Sequence, residues 1–271
     1  MTGPGATGPA APGPGPAGPG GLPLLDYDDD PVAFIDPTRH RGRASLPGHA
    51  VICFFDEVVR GLVGDRAPDY KLRWEHGFHG VWAVEVAGRP LTVCHPGCTA
   101  PLAAANLDVL VAMGCTRVIA VGGAGTIAAG FDVGHAVVVT DAVRDEGTSY
   151  HYLPAEAGPT VAASPAACAA LEAELTERGV PYETGRTWTT DGIFRETRAK
   201  VARRRDEGCL TVDMEASALF AVAAFRGATI GQLLYCGDDL STETWDHRGW
   251  DRATGVRQRL FDIACGACLR L

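Results

Sequence analysis

Val118-Ile-Ala-Val-Gly-Gly-Ala-Gly-Thr-Ile-Ala128 is the stretch whose reading decides the fold. Val118 to Val121 reads as a buried strand. The spacing Gly123-x-Gly125-x-x-Ala128 that follows imitates a dinucleotide-binding turn, with Asp141 at a suitable distance for a ribose contact. That turn must open directly into a helix. Here Gly130 and Gly134 break the stretch, and Ala136 to Thr140 reads as another strand. The segment Gly122 to Gly134 therefore reads better as a tight strand-to-strand connection where the backbone comes close to a ligand.

Outward from this point, strands alternate with helices. Val51 to Phe55 reads as a buried strand, and Val81–Val86 and Leu91–Cys94 as two strands around Gly88-Arg89-Pro90. Pro101 to Met113 has helical spacing, with Pro101 in the first turn and Gly114 closing the end. Further helices are expected over 166–178, 195–206, 214–225 and 254–269, with a buried strand at Thr229 to Tyr235. This alternation argues for an α/β sheet covered on both faces.

The chain has 271 residues, enough for one large α/β domain with a tail. Residues 1–30 read as a disordered Gly/Pro-rich tail that cannot bury anything, and 31–271 as the folded domain. The net charge is −9 and no basic stripe is visible, which argues against a nucleic-acid partner. No run approaches the 18 or so apolar residues of a membrane span, and the N-terminus does not read as a secretory signal, so a cytoplasmic protein is expected. The nine cysteines mostly sit in apolar runs and read as buried thiols, and no metal site is expected. The Cys265–Cys268 pair lacks the second pair, or the histidines, of a zinc site.

Three further constellations could carry chemistry. In Val212-Asp-Met-Glu-Ala-Ser217, Glu215 opens an apolar helix, where a carboxylate either complements the helix dipole or grips two adjacent sugar hydroxyls. In Tyr235-Cys-Gly-Asp-Asp239, at the end of a buried strand, Asp239 suits a turn cap, which leaves Asp238 for chemistry. The loop Ala142 to Leu153 gathers charge, hydroxyls and aromatic rings around Arg144.

Taken in order, these segments resemble the nucleoside phosphorylase family, in particular its uridine phosphorylase-like and purine-cleaving members. The matching pieces are His95-Pro-Gly-Cys-Thr-Ala-Pro101, the Gly122–Gly134 turn, Val143-Arg-Asp-Glu-Gly-Thr-Ser-Tyr-His-Tyr-Leu-Pro154, Asp213-Met-Glu-Ala-Ser217 and Gly237-Asp-Asp239. The resemblance spans roughly Ala50 to Leu271. It implies a three-layer α/β/α sandwich with a mixed, partly barrel-like central sheet. It also implies a homo-oligomer, dimer or hexamer, acting on a small nucleoside with no cofactor beyond inorganic phosphate as co-substrate.

By the same resemblance, Met214 and Glu215 hold the ribose, with Asp213 beside them. Asp238 is the catalytic acid near the base, and Ile193 and Phe194 form the wall against it. Gly122, Gly123 and Arg144 are the candidates for the phosphate or acceptor site. The activity implied is phosphorolysis of the N-glycosidic bond, giving free base and (deoxy)ribose 1-phosphate. The alternatives are a hydrolytic nucleosidase using water and a non-catalytic nucleoside-binding homologue.

Two departures bear on that choice. The family's Gly-Asp-Pro-x-Arg loop after the first strand is replaced by Phe54-Phe-Asp-Glu-Val58, and Asp36-Pro-Thr-Arg39 lies earlier without a strand before it. Where the family carries an Arg on the strand entering the glycine turn, this chain has Ala120, and the nearest Arg is Arg117.

Overall fold

The computed structural model describes residues 21–271. The expected Gly/Pro-rich tail lies outside these residues except for 21–30, which form an exposed stretch with one short 3-10 turn, Pro23–Leu25. From there to residue 48 the chain runs as a strap over the surface. In it Asp36 caps the 3-10 turn Pro37–His40 by accepting from the Thr38 amide at 2.8 Å. The Asp36-Pro-Thr-Arg39 look-alike is thus a capped turn on a strap.

The folded body opens with β1 (His49–Cys53) and α1 (Asp56–Val63), then β2 (Tyr70–Trp74), β3 (Gly77–Val86) and β4 (Arg89–Cys94). Next come α2 (Ala100–Ala112), β5 (Arg117–Thr126), β6 (Ala136–Asp145), β7 (Thr160–Ala162) and α3 (Pro165–Glu177). The chain finishes with β8 (Tyr182–Thr190), α4 (Arg198–Asp206), β9 (Cys209–Asp213), α5 (Ala216–Arg226), β10 (Thr229–Asp239) and α6 (Thr254–Cys268). All ten strands join one mixed sheet in the order β10-β6-β8-β9-β5-β1-β4-β3-β2, with β7 on β6. An additional pairing of β10 with β5 closes β5, β9, β8, β6 and β10 into a five-stranded ring. The sheet is therefore an α/β core that is part barrel and part open wing.

The patterning explains the burial. Val118, Ile119, Ala120 and Val121 are all fully buried because β5 has strands on both sides and helices on both faces. Cys265 and Cys268 are buried on α6, packed as small apolar side chains. The apolar α5 is buried along most of its length, which is why it shows little amphipathic stripe.

The glycine segment corrects the sequence reading. β5 continues through Gly122, Gly123 and Gly125 to Thr126 instead of ending at Val121, with Tyr235 of β10 opposite Gly123. Glycine is needed there for room: a Cβ on Gly123 would lie 2.9 Å from the Tyr235 ring, and one on Gly125 2.8 Å from Leu240 and Val212. No helix follows these glycines, so the context of a dinucleotide turn is missing.

Candidate active site

Strands β1, β4, β5, β8, β9 and β10 end around one cleft of about 440 Å³. Ligands in α/β sheets sit outside such carboxyl ends because side chains and loop amides from several strands converge there. The volume lies in the range of small-molecule sites.

One wall is the β9–α5 junction. Asp213, the last residue of β9, is buried and accepts hydrogen bonds from Thr189 Oγ1 at 2.8 Å and from the Ala216 amide at 2.8 Å. It ties the first turn of α5 to β8. Burial pushes its carboxyl up to about 6, against the pull of those donors. Met214 and Glu215 follow at the cleft surface. Glu215 Oε1 accepts from the Thr99 amide at 2.6 Å. Thr99 has φ +75°, a conformation costly for a β-branched residue, of order 1–3 kcal/mol, and tolerated where surroundings over-determine it. Burial, then the neighbouring Asp213 charge, raises Glu215 to about 8. Glu215 is thus a poorly hydrated carboxyl, ready for hydroxyl donors that would stabilise its ionised form.

Across the cleft, β10 supplies Asp238. Its Oδ2 accepts from the Trp245 Nε1–H at 2.6 Å. Asp239 turns the other way: its Oδ1 caps the following turn by accepting from the Ser241 amide at 2.7 Å. The loop between β8 and α4 adds Ile193 and Glu196 to this end of the cleft. Burial, then the Asp238 charge, pushes Glu196 up to about 7.

The remaining end is formed by the β1–α1 junction and β5. Phe54 packs over Gly122, where a Cβ would meet its ring at 3.1 Å, and Asp56 and Glu57 open α1 beside it. The Val121 carbonyl accepts from the Phe54 amide at 2.9 Å, so the strand alternation turns Gly123, which is exposed, toward the same opening. Arg257 from α6 is the one Arg or Lys lining the cleft among the described residues. It is already committed, to Glu57 Oε1 at 2.7 Å and the Tyr235 hydroxyl at 3.2 Å.

The cleft thus brings together Asp213, Met214, Glu215, Asp238, Ile193, Gly122 and Gly123. Phe194 and Arg144 do not line it. Phe194 is 94% exposed. Arg144 is buried elsewhere, with Nε donating to Ser149 Oγ at 3.0 Å and its terminal nitrogens to the carbonyls of Leu153, Pro154 and Gly158. Its guanidinium also covers the Tyr150 ring at 4.1 Å. All three of its nitrogens are used to shape the 146–158 loop, which takes it away from the acceptor end. Arg117 begins β5, six residues before Gly123, so about 20 Å of strand separates the two.

Sequence reading missed Glu196, Thr99, Glu57 and Arg257. Thr99 lies within a quoted motif, yet its contribution is a backbone amide, which no side-chain pattern announces. Arg257 reaches the cleft from α6, some 200 residues from Glu57, so only packing could bring the pair together.

A family model described as "Phosphorylase superfamily" matches residues 49–261. Guanosine phosphorylase from Halorubrum lacusprofundi is 28% identical over 74% of this chain and 81% of its own length. Uridine phosphorylase from Thermococcus kodakarensis is 28% identical over 73% of this chain and 79% of its own. A crystal structure of uridine phosphorylase from Vibrio fischeri ES114 superposes with a TM-score of 0.68 at 26% identity, covering 83% of this chain and 91% of that one.

Proposed function

The chain belongs to the phosphorylase superfamily, and we propose that within it this protein breaks the N-glycosidic bond of a nucleoside with water as the acceptor. The observation that supports cleavage is the pairing, across one cleft, of Glu215 beside Met214 with the Asp238 end. Glycosidic cleavage builds positive charge on the sugar and negative charge on the departing base. Glu215 holds the ribose hydroxyls, whose donors draw it into its ionised form, and its charge faces the developing cation. Met214 packs against the sugar. Asp238 and its surroundings meet the base, with Ile193 as an apolar wall.

The acceptor end favours water on electrostatic grounds. Inorganic phosphate binds where an Arg or several convergent donors offset its charge. Here Asp56 and Glu57 stand at the opening, the Phe54 ring covers Gly122, and Arg257 is neutralised by Glu57. A phosphate dianion would meet carboxylates. A water molecule would find in Glu57, whose carboxyl Arg257 holds low against the opposing effect of burial, an ionised hydrogen-bond acceptor that orients it. Phosphorolysis is the second reading, favoured by the names of the guanosine and uridine phosphorylases it resembles, and by the exposed Gly123.

The test is base release from purine and pyrimidine nucleosides by extensively dialysed protein, with and without phosphate, and identification of the sugar product. Water as acceptor gives free sugar at a rate that phosphate does not change. Release that stops without phosphate and yields sugar 1-phosphate establishes the second reading. Binding without release, seen as ligand-induced thermal stabilisation alone, rejects both.

A further inference from the structure

Gln232 stands in the middle of β10 among apolar neighbours, with Gly231 before it and Leu233 and Leu234 after it. It is 1% exposed. Strand alternation sends Gly231 toward α3, where a Cβ on it would lie 2.8 Å from that of Ala167. Gln232 and Leu234 therefore face the opposite way, toward the cleft that both of them line. The amide Nε2 donates to Asp213 Oδ2 at 3.4 Å, a long bond. The amide oxygen, Oε1, is buried and has no hydrogen-bond partner among the described residues.

An unpaired buried acceptor is costly, and an apolar side chain of the same shape would be cheaper to place there. Asp213 does not require the amide. Thr189 Oγ1 and the Ala216 amide already donate to that carboxyl, one to each oxygen and each at 2.8 Å. The residue in register with Gln232 on β5 is Ala120, whose side chain brings no donor.

A ligand that carries a donor to this floor would complete the amide, and the adjacent hydroxyls of a ribose carry two. Glu215 Oε1 already takes the Thr99 amide, and Asp213 has a donor on each oxygen. Asp238 and Glu57 are engaged with Trp245 and Arg257 at the two ends of the cleft. Two hydroxyl protons arriving at the sugar wall thus call for an acceptor besides Glu215, and the Gln232 oxygen is there without a donor. The last torsion of a glutamine is soft, so the oxygen can turn to meet a hydroxyl above it while β10 stays in place.

We infer that Gln232 Oε1 accepts a hydrogen bond from one hydroxyl of the ribose diol while Glu215 takes the other, which makes the site selective for ribonucleosides over their deoxy counterparts. This rests on the cleavage reading above and holds with either water or phosphate as acceptor. A deoxy sugar leaves the buried oxygen unpaired in the complex, where no water takes the place of the missing hydroxyl.

The experiment measures base release from adenosine, inosine, guanosine and uridine, each beside its 2′-deoxy and 3′-deoxy forms, by wild type and Gln232→Met, with and without phosphate. Met keeps the unbranched shape and loses both polar atoms. Wild type should prefer each ribonucleoside it cleaves to one or both of its deoxy forms by about 10- to 100-fold in kcat/KM. In Gln232→Met the ribonucleoside should lose about that factor, while the deoxy form lacking the hydroxyl that Gln232 holds stays within about threefold of wild type. That preference then disappears, and comparing the two preferences cancels any difference in the lability of the bonds themselves. An equal loss on ribo and deoxy forms means that Gln232 acts through Asp213 and not on the sugar, which overturns the inference. Wild type accepting both deoxy forms within about threefold of the parent overturns it without any variant. Base release from none of the four parents overturns the cleavage reading beneath it.

Discussion

Glu215→Gln should make the protein more stable, and increasingly so as pH rises. In the native state Glu215 keeps its proton up to about 8, because burial and Asp213 oppose its charge. In the unfolded chain its carboxyl ionises near 4.5. Below that value both states carry the proton and the group has no effect. Between the two values the unfolded chain gives up its proton and the native state does not, so the native state loses ground by about 1.4 kcal/mol per pH unit. From pH 5 to pH 8 this amounts to about 3 kcal/mol. Gln keeps an amide oxygen for the Thr99 N–H and removes the titration. Asp213 titrates in both proteins and cancels to first order. At roughly 2–4 °C per kcal/mol for a domain of this size, the advantage in Tm of Glu215→Gln over wild type should grow by roughly 6–12 °C between pH 5 and pH 8. Thermal unfolding by circular dichroism at matched ionic strength measures it. A difference in Tm that does not change with pH, or a variant less stable than wild type at pH 8, refutes the reasoning. The same variant should bind nucleoside poorly, because the neutral amide cannot replace a carboxylate under two hydroxyls.

Arg144→Ala should lower stability by about 3–5 kcal/mol, because Ser149, Leu153, Pro154 and Gly158 lose their common donor; nucleoside KM within about threefold, measured below its Tm, would separate that role from substrate binding. Arg226→Met should cost about 3–5 kcal/mol in chemical denaturation, since Asp108, buried and held by Arg226 Nε at 2.8 Å, would keep only the Tyr152 hydroxyl; a cost under about 1 kcal/mol would mean solvent reaches it. Gly231→Ala should destabilise by about 1–3 kcal/mol, because the new Cβ falls 2.8 Å from the Ala167 Cβ between β10 and α3; an unchanged midpoint would show that α3 shifts freely.

The sequence by itself determined the elements whose signal is local. Pro101 and Gly114 bracketed α2 to within a residue or two, and the helices at 165–177 and 254–268 fell where their apolar spacing and end residues put them. The buried strands β1, β4, β5 and β10 were legible as apolar runs, and the order of motifs led to the superfamily. β8 was not read as a strand because Tyr182-Glu-Thr-Gly-Arg-Thr-Trp-Thr-Thr190 is polar along much of its length, and Thr187, Thr189 and Thr190 are buried only because the strand sits between β6 and β9. α1 was missed because the strand expected over Val51 to Phe55 took in its N-cap, Phe55, and the glycines of β5 looked like a loop because only Tyr235, Val212 and Leu240 fill the room their missing side chains leave.

The site divides along the same line. Asp213, Met214, Glu215 and Asp238 were legible as residue types in a familiar order. What tertiary structure alone decided was their company: the Thr99 amide on Glu215, Trp245 on Asp238, the Asp238 charge on Glu196, and Arg257 spent on Glu57. Carboxyl protonation and cation availability depend on burial and on partners far away in sequence. A chain read residue by residue can name the ionisable groups, and only the packed fold sets which of them carries a proton.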